Sequence, residues 1–299
     1  MLHSGRRLPG GPGRTRRGRR VTGALPALAS ALLYGVADVW GGLLSRRADF
    51  AAVALLGQAG GLVCAVAAAL FMPATGIAAA DLGWGALSGV GTGLAMVFLY
   101  RGISKGNLSV VVPVSAVGGV ALPVLVGVAF LGDRPSPVAW AGIAVVLPAL
   151  WLVSRSRSDD QGRVRAALVN GLVASGGIGV QYLALAQAGD DSGAWPVAAG
   201  RVAAVLAVAP MMWPSERRFP SPAMSFWSAA NGGLAAAALV FYLLATREQL
   251  TVIAVVLSSL YPVVPVLLGV TALRERLSWP QAAGLGGAGV AVVLLTFGA

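Results

Sequence analysis

Two charged residues stand inside otherwise apolar stretches of this sequence, Asp38 and Arg201. Each is costly there, by about 2.5–3.5 kcal/mol at the centre of a membrane helix on insertion scales. A residue kept at that cost usually faces the interior of a helix bundle. A carboxyl taken out of water favours its neutral form, so a group like Asp38 can take up and release a proton as its access to water changes. A guanidinium such as Arg201 pairs with a carboxylate or a phosphate. Neutral polar groups fall in similar stretches: Gln58, Ser115, Asn170, Gln181, Asn231, Ser258 and Ser259. Some must line a cavity and others must bond helix to helix. Among the tyrosines, Tyr34 and Tyr261 stand near mid-stretch and are candidates for a cavity wall. Tyr100 and Tyr242 stand at stretch ends, where an aromatic belt at the membrane surface is the better reading.

Other chemistry is scarce. His3 is the only histidine and sits in the N-terminal tail, and Cys64 is the only cysteine. That excludes an intramolecular disulfide and a Cys/His metal centre, and it leaves no interior histidine as a general base. With very short loops besides, the chain is not expected to be an enzyme, and no cofactor is expected.

The elements that must position these residues are membrane helices. The chain is 57% hydrophobic and 11% charged, with a mean hydropathy of +0.79, where soluble proteins carry about 25% charged residues. Stretches near 22–44, 51–71, 82–100, 107–131, 136–153, 166–187, 194–213, 223–243, 250–273 and 279–298 are each apolar enough to be a span, given the roughly 17–25 residues a span needs. They lack the alternation of a β-barrel strand. Backbone groups in lipid must be satisfied within the segment, so these stretches are expected to be α-helices, giving an all-α integral membrane protein.

By position, Asp38 lies about five residues past the midpoint of the first span, or roughly 7 Å. Arg201 lies before the midpoint of the seventh. The two are expected in opposite halves of the bilayer, about 12 Å apart in depth, without a direct ion pair.

The chain also repeats itself. Residues 100–142 align without a gap on 242–284, placing Tyr100 on Tyr242, Leu108 on Leu250, Pro123 on Pro265 and Gly127 on Gly269. Asp133-Arg134 falls on Glu275-Arg276, Ser136 on Ser278 and Gly142 on Gly284. Prolines, glycines and charges match, so shared apolar composition does not account for it. The polar segment 155–165 divides the chain into a first half, 22–154, and a second, 166–299, of five spans each. An odd number of spans inverts one half relative to the other. Loop charges agree: Arg46 and Arg47 follow the first span, whereas Asp190 and Asp191 follow the sixth. Pro123 and Pro265 each free the carbonyl four residues earlier and are candidates for gating bends; Pro262 adds a break beside Tyr261. The four-residue glycine spacings Gly57/Gly61 and Gly85/Gly89/Gly93 read as close helix crossings.

The first 21 residues form a basic tail, with seven arginines in the first twenty. It is read as a disordered flank that orients the first helix, or as a misassigned start with translation from Val21, ahead of a nucleic-acid or anionic-lipid arm. No nucleic-acid partner is expected. Counting basic residues in loops puts the termini outside, whereas the tail argues for inside, so orientation stays open.

The close of each half carries a pattern. Phe98-Leu99-Tyr100 or Phe241-Tyr242 ends a helix, and a helix with a late proline follows. Gly132-Asp133-Arg134 or Arg274-Glu275-Arg276 then precedes Ser136 or Ser278 and a glycine-containing last helix. Together with Leu33-Tyr34-Gly35-Val36-Ala37-Asp38, this resembles the EamA-type transporters of the drug/metabolite transporter superfamily, from about residue 22 to the C-terminus. The resemblance implies ten transmembrane helices as two inverted five-helix repeats, secondary active transport, often export of amino acids or other metabolites, and cytoplasmic termini. The motif acid is Asp at 133 where Glu is commoner.

The expectation is a proton-coupled exporter of amino acids or related metabolites in a plasma membrane. Its partners would be a small-molecule substrate and the lipid bilayer, with a homodimer left open. The Arg- and Ala-rich composition suggests a bacterial source. Asp38 is the proton-coupling candidate. Tyr34, Gln58, Ser115, Asn170, Gln181, Arg201, Asn231, Ser258 and Tyr261 are the substrate-binding candidates. Two other readings compete: an exchanger of anions or sugar-phosphate-like solutes built on Arg201, and a membrane scaffold or sensor that moves nothing.

Overall fold

In the computed structural model, residues 23–104, 108–154, 161–212, 220–264, 267 and 279–298 are described. They contain helices and connecting turns, with no strand among them. The helices are α1 (Ala24–Ser45), α2 (Phe50–Phe71), α3 (Ala79–Ser104), α4 (Leu108–Phe130), α5 (Pro137–Ser154), α6 (Gln161–Leu185), α7 (Trp195–Val208), α8 (Pro222–Glu248), α9 (Thr251–Ser258) and α10 (Trp279–Gly298). Six segments are long and apolar enough to cross a membrane: Ala24–Arg47, Phe50–Phe71, Ala79–Ser104, Leu168–Leu185, Trp195–Met212 and Pro222–Glu248. The chain is a multi-pass helical membrane protein.

Phe71, Phe130, Trp279, Val63, Leu125 and Leu70 stand 69–88% exposed. Water would penalise so much outward apolar surface, whereas lipid accepts it.

Most helix ends fall within about five residues of the hydropathy boundaries. Two are instructive. α6 begins at Gln161, inside the polar segment read as a linker. α9 is α-helical only to Ser258, and residues 259–262 form turns. Pro262 accounts for the second difference, because it has no N–H for the Ser258 carbonyl. Val263 and Val264 bond back only three residues, to Leu260 and Tyr261. By contrast, α4 stays helical through Pro123. Pro265, Glu275 and Arg276, the 1–21 tail and residues 155–160 lie outside the described residues.

The helices pack in a reciprocal pattern. α3 lies against α6 and α7, and α8 lies against α1 and α2. α4 packs on α6, and α9 on α1. α2 meets α7, and α5 meets α10. The close crossings are made by glycine. A Cβ at Gly89 would fall onto the carbonyl oxygen of Gly200, and one at Gly85 onto that of Pro196. Across the bundle, a Cβ at Gly232 would fall onto the Gly57 carbonyl oxygen.

Polar caps fix the helix ends. The Asp49 carboxylate accepts from Ala51 N–H at 2.9 Å and Ala52 N–H at 3.1 Å at the start of α2. Asp133 reaches across from the end of α4 and accepts from Val252 N–H at 3.0 Å, capping α9. Asp49→Ala is expected to cost about 1 kcal/mol of stability, the usual worth of an N-cap, read as a lower melting temperature in detergent.

Candidate functional site

Three groups of buried polar side chains lie within the bundle. In one, Arg201 on α7 donates from Nη1 to Gln58 Oε1 on α2 at 2.7 Å. Arg201 is 1% exposed, and its Nε and Nη2 have no hydrogen-bond partner among the described residues. The side chain passes beside Gly61, where a Cβ would lie 3.2 Å from Arg201 Cδ. No larger residue would leave the guanidinium that path.

On the side where α1 and α3 end, Asn231 Nδ2 of α8 donates to the Tyr100 hydroxyl at 3.2 Å, and Asn231 Oδ1 is left without a partner. A Cβ at Gly41 of α1 would collide with the Tyr100 hydroxyl, so glycine there makes room for this pair. Asp38 lies one turn before Gly41 and is half-buried. No hydrogen bond or ion pair reaches its carboxyl among the described residues. As expected from their depths, Asp38 and Arg201 form no ion pair.

On the other side, Gln181 of α6 ties three helices together. Its Nε2 donates to the Tyr34 hydroxyl at 3.1 Å, and its Oε1 accepts from Thr92 Oγ1 at 2.7 Å. Its backbone carbonyl accepts from Ser88 Oγ at 2.8 Å. Tyr182 follows, its ring edge-on to Tyr34 and its carbonyl accepting from the Tyr242 hydroxyl at 2.8 Å.

Tyr100 and Tyr242 are therefore interior residues, 4% and 0% exposed, and not members of an aromatic belt. α3 and α8 continue past them to Ser104 and Glu248, a turn or more beyond the apolar stretches. Apolar length marks the bilayer and underestimates the helix.

The remaining candidates spread around these groups. Ser258 donates to the Ala27 carbonyl at 3.3 Å, joining α9 to α1. Tyr261 is buried beside Ser115 of α4. Ser175 Oγ of α6 donates to the Val114 carbonyl at 2.9 Å. Asn170 is buried on α6, but no bond ties it to the chain among the described residues. Trp40 is exposed, stacks on Trp227 with centroids 5.2 Å apart, and lines an apolar groove with Val36, Val39, Leu43 and Arg47.

The polar mates recur at one interval. Gln58 and Arg201 are 143 positions apart. The same step carries Asp38 to Gln181, Ser88 to Asn231, Gly57 to Gly200 and Gly89 to Gly232.

A second polar assembly ties loops together at the end of the bundle where α2, α6 and α8 end. Asp81 accepts from Gly189 N–H at 2.9 Å and from Ser192 Oγ at 2.6 Å. Thr75 Oγ1 donates to Asp191 at 2.7 Å. Arg247 pairs with Asp190 at 3.1 Å and donates to the Gly193 carbonyl at 2.8 Å. Gly193 holds φ at +55°, a conformation that favours glycine. These bonds join the loop after α2 to the loop after α6. Asp81→Ala removes two of them and is expected to lower stability by about 1 kcal/mol, discounted for exposure. Thermal unfolding in detergent checks it.

Among the described residues no group of His, Cys, Asp and Glu could hold a metal ion. No family model and no curated protein matches the chain. A solved structure known only as "Crystal structure of protein" is similar over 93% of this chain and 98% of its own, at 18% identity and a TM-score of 0.63. A likeness at that identity speaks for a shared fold across nearly the whole length and for nothing more.

Proposed function

We propose that this chain is a secondary active transporter of small metabolites, an exporter of amino acids or related compounds coupled to protons, built as ten transmembrane helices in two inverted repeats. The observation that carries the reading is the set of buried polar groups within an apolar bundle, the Arg201–Gln58 bond among them. Burying an arginine with two donors unpartnered is costly in a membrane and gives a scaffold nothing. The reciprocal packing of α3 on α6/α7 and α8 on α1/α2 supports two halves related by a pseudo-twofold axis. On that axis a residue meets its own mate, as Gln58 meets Arg201. Inverted halves with a site at their interface are the usual plan of secondary transporters. The resemblance to EamA-type transporters supports the same reading. A bacterial plasma membrane is the location this function suits.

The test is counterflow and pH-gradient dissipation in proteoliposomes, using amino acids and related metabolites. The proposal expects at least one solute to move and to carry protons with it. A protein that reconstitutes as folded and moves nothing on the panel would favour a scaffold or sensor.

A further inference from the structure

Gln58 engages Arg201 through Nη1 and leaves Nε and Nη2 without partners among the described residues. Those two nitrogens form one edge of the guanidinium, with their N–H groups parallel. That edge is the fork that takes the two oxygens of a carboxylate side by side. Gln58 thus holds the fork in place while keeping clear of it.

We propose that Arg201 binds the carboxylate of the transported solute through Nε–H and Nη2–H, and that the substrates are monocarboxylates, amino acids included. This rests on the transport reading above. The anion's charge is limited by what faces it. Arg201 is the only buried cation among the described residues. The other ionisable side chain within the apolar stretches, Asp38, is half-buried and adds no positive charge. A phosphate monoester, carrying about −1.5 to −2 at neutral pH, would place two negative charges against one positive charge in low dielectric. A carboxylate places one against one. Asp38 does not compete for the fork in this structure, because no ion pair links it to Arg201.

The test uses the full-length protein purified in detergent, with thermal unfolding as the readout. The probes are L-leucine, L-phenylalanine, isovalerate and phenylacetate, each beside its primary amide, which keeps the shape and lacks the charge. At least one acid is expected to raise the melting temperature in a concentration-dependent way, and its amide is not. Arg201→Gln is expected to weaken that acid by about a hundredfold, as truncating a buried charge pair does. Arg201→Lys keeps the charge but loses the fork, and is expected to weaken it by about tenfold. It carries the test alone should the glutamine variant not fold. Three outcomes overturn the proposal: no acid shifts the melting temperature, acid and amide shift it equally, or the shift survives loss of the guanidinium. Transport separates this failure from the other. A neutral or cationic solute that moves equally well through wild type and Arg201→Gln keeps the transporter reading and removes the carboxylate. Carboxylates that bind tightly yet never cross do the reverse.

Discussion

Asp38→Asn is expected to abolish gradient-driven transport while leaving substrate exchange intact. The substitution is nearly isosteric, so the packing of α1 against α8 is unchanged, but an amide carries no titratable proton. Asp38 is the one acid within the apolar part of the described helices, and no hydrogen bond or ion pair holds its carboxyl among the described residues. Arg201, the natural counter-ion, bonds Gln58 instead. A carboxyl that is neither paired nor fully buried can be loaded with a proton from whichever side water reaches it. In proteoliposomes, wild type is expected to accumulate solute against its gradient when a pH difference is imposed. The variant is expected to fall to the level of empty vesicles in that assay and to exchange solute within a few-fold of wild type. It is also expected to melt higher. A charge removed from a helix interior relieves a cost of about 2.5–3.5 kcal/mol at most. Equal coupling in both proteins would make Asp38 structural and move the proton site elsewhere.

Hydropathy located the six long apolar helices because lipid imposes a length and a composition on each of them. It could not mark where helices end. The Gln161, Arg163 and Arg165 start of α6 is polar, yet its backbone continues the helix. The same limit sent Tyr100 and Tyr242 to a membrane surface, when a longer helix carries each inside. Asp38, Gln58, Arg201 and Asn231 stood out as polar residues in apolar runs. That Gln58 would hold Arg201 did not, because residues 143 apart meet only once two halves are folded on each other. One signal was available. The repeat at residues 100–142 has an offset of 142, and a shift by one upstream pairs Gly57 with Gly200, Gly89 with Gly232 and Gln58 with Arg201. In that register Asp38 falls on Gln181, Ser88 on Asn231 and Gln58 on Arg201. Asn170 falls outside the pattern: its burial is observed, and its polarity has no role in the described contacts.

The glycine crossings set how close the helices can come, and therefore whether the buried polar groups meet at all. Gly232→Val should disrupt the protein more than any polar substitution in the bundle. The Gly232 Cα packs against the Gly57 backbone, where an added Cβ would fall onto a carbonyl oxygen. A carbonyl oxygen in a helix cannot swing aside as a side-chain tip can. α2 and α8 would have to separate, and Gly61, whose own Cβ position lies 2.8 Å from the Gly232 carbonyl oxygen, would be carried along. Arg201 threads past Gly61 to reach Gln58, so separation would also lengthen the central bond. Overpacking usually costs about 1–3 kcal/mol and more where backbone must move. Gly232→Val is expected at the upper end or beyond it, with the melting temperature falling sharply and little monodisperse protein recovered. Gly89→Val, at the reciprocal crossing with Gly200, should behave alike. Gly83→Val is the control, since nothing lies within 4 Å of its Cβ position. Valine forms helix more readily than glycine, so that variant should melt at or slightly above wild type. If Gly232→Val and Gly83→Val melt together, α2 and α8 are not in backbone contact. Gln58 would then lose the geometry that holds Arg201.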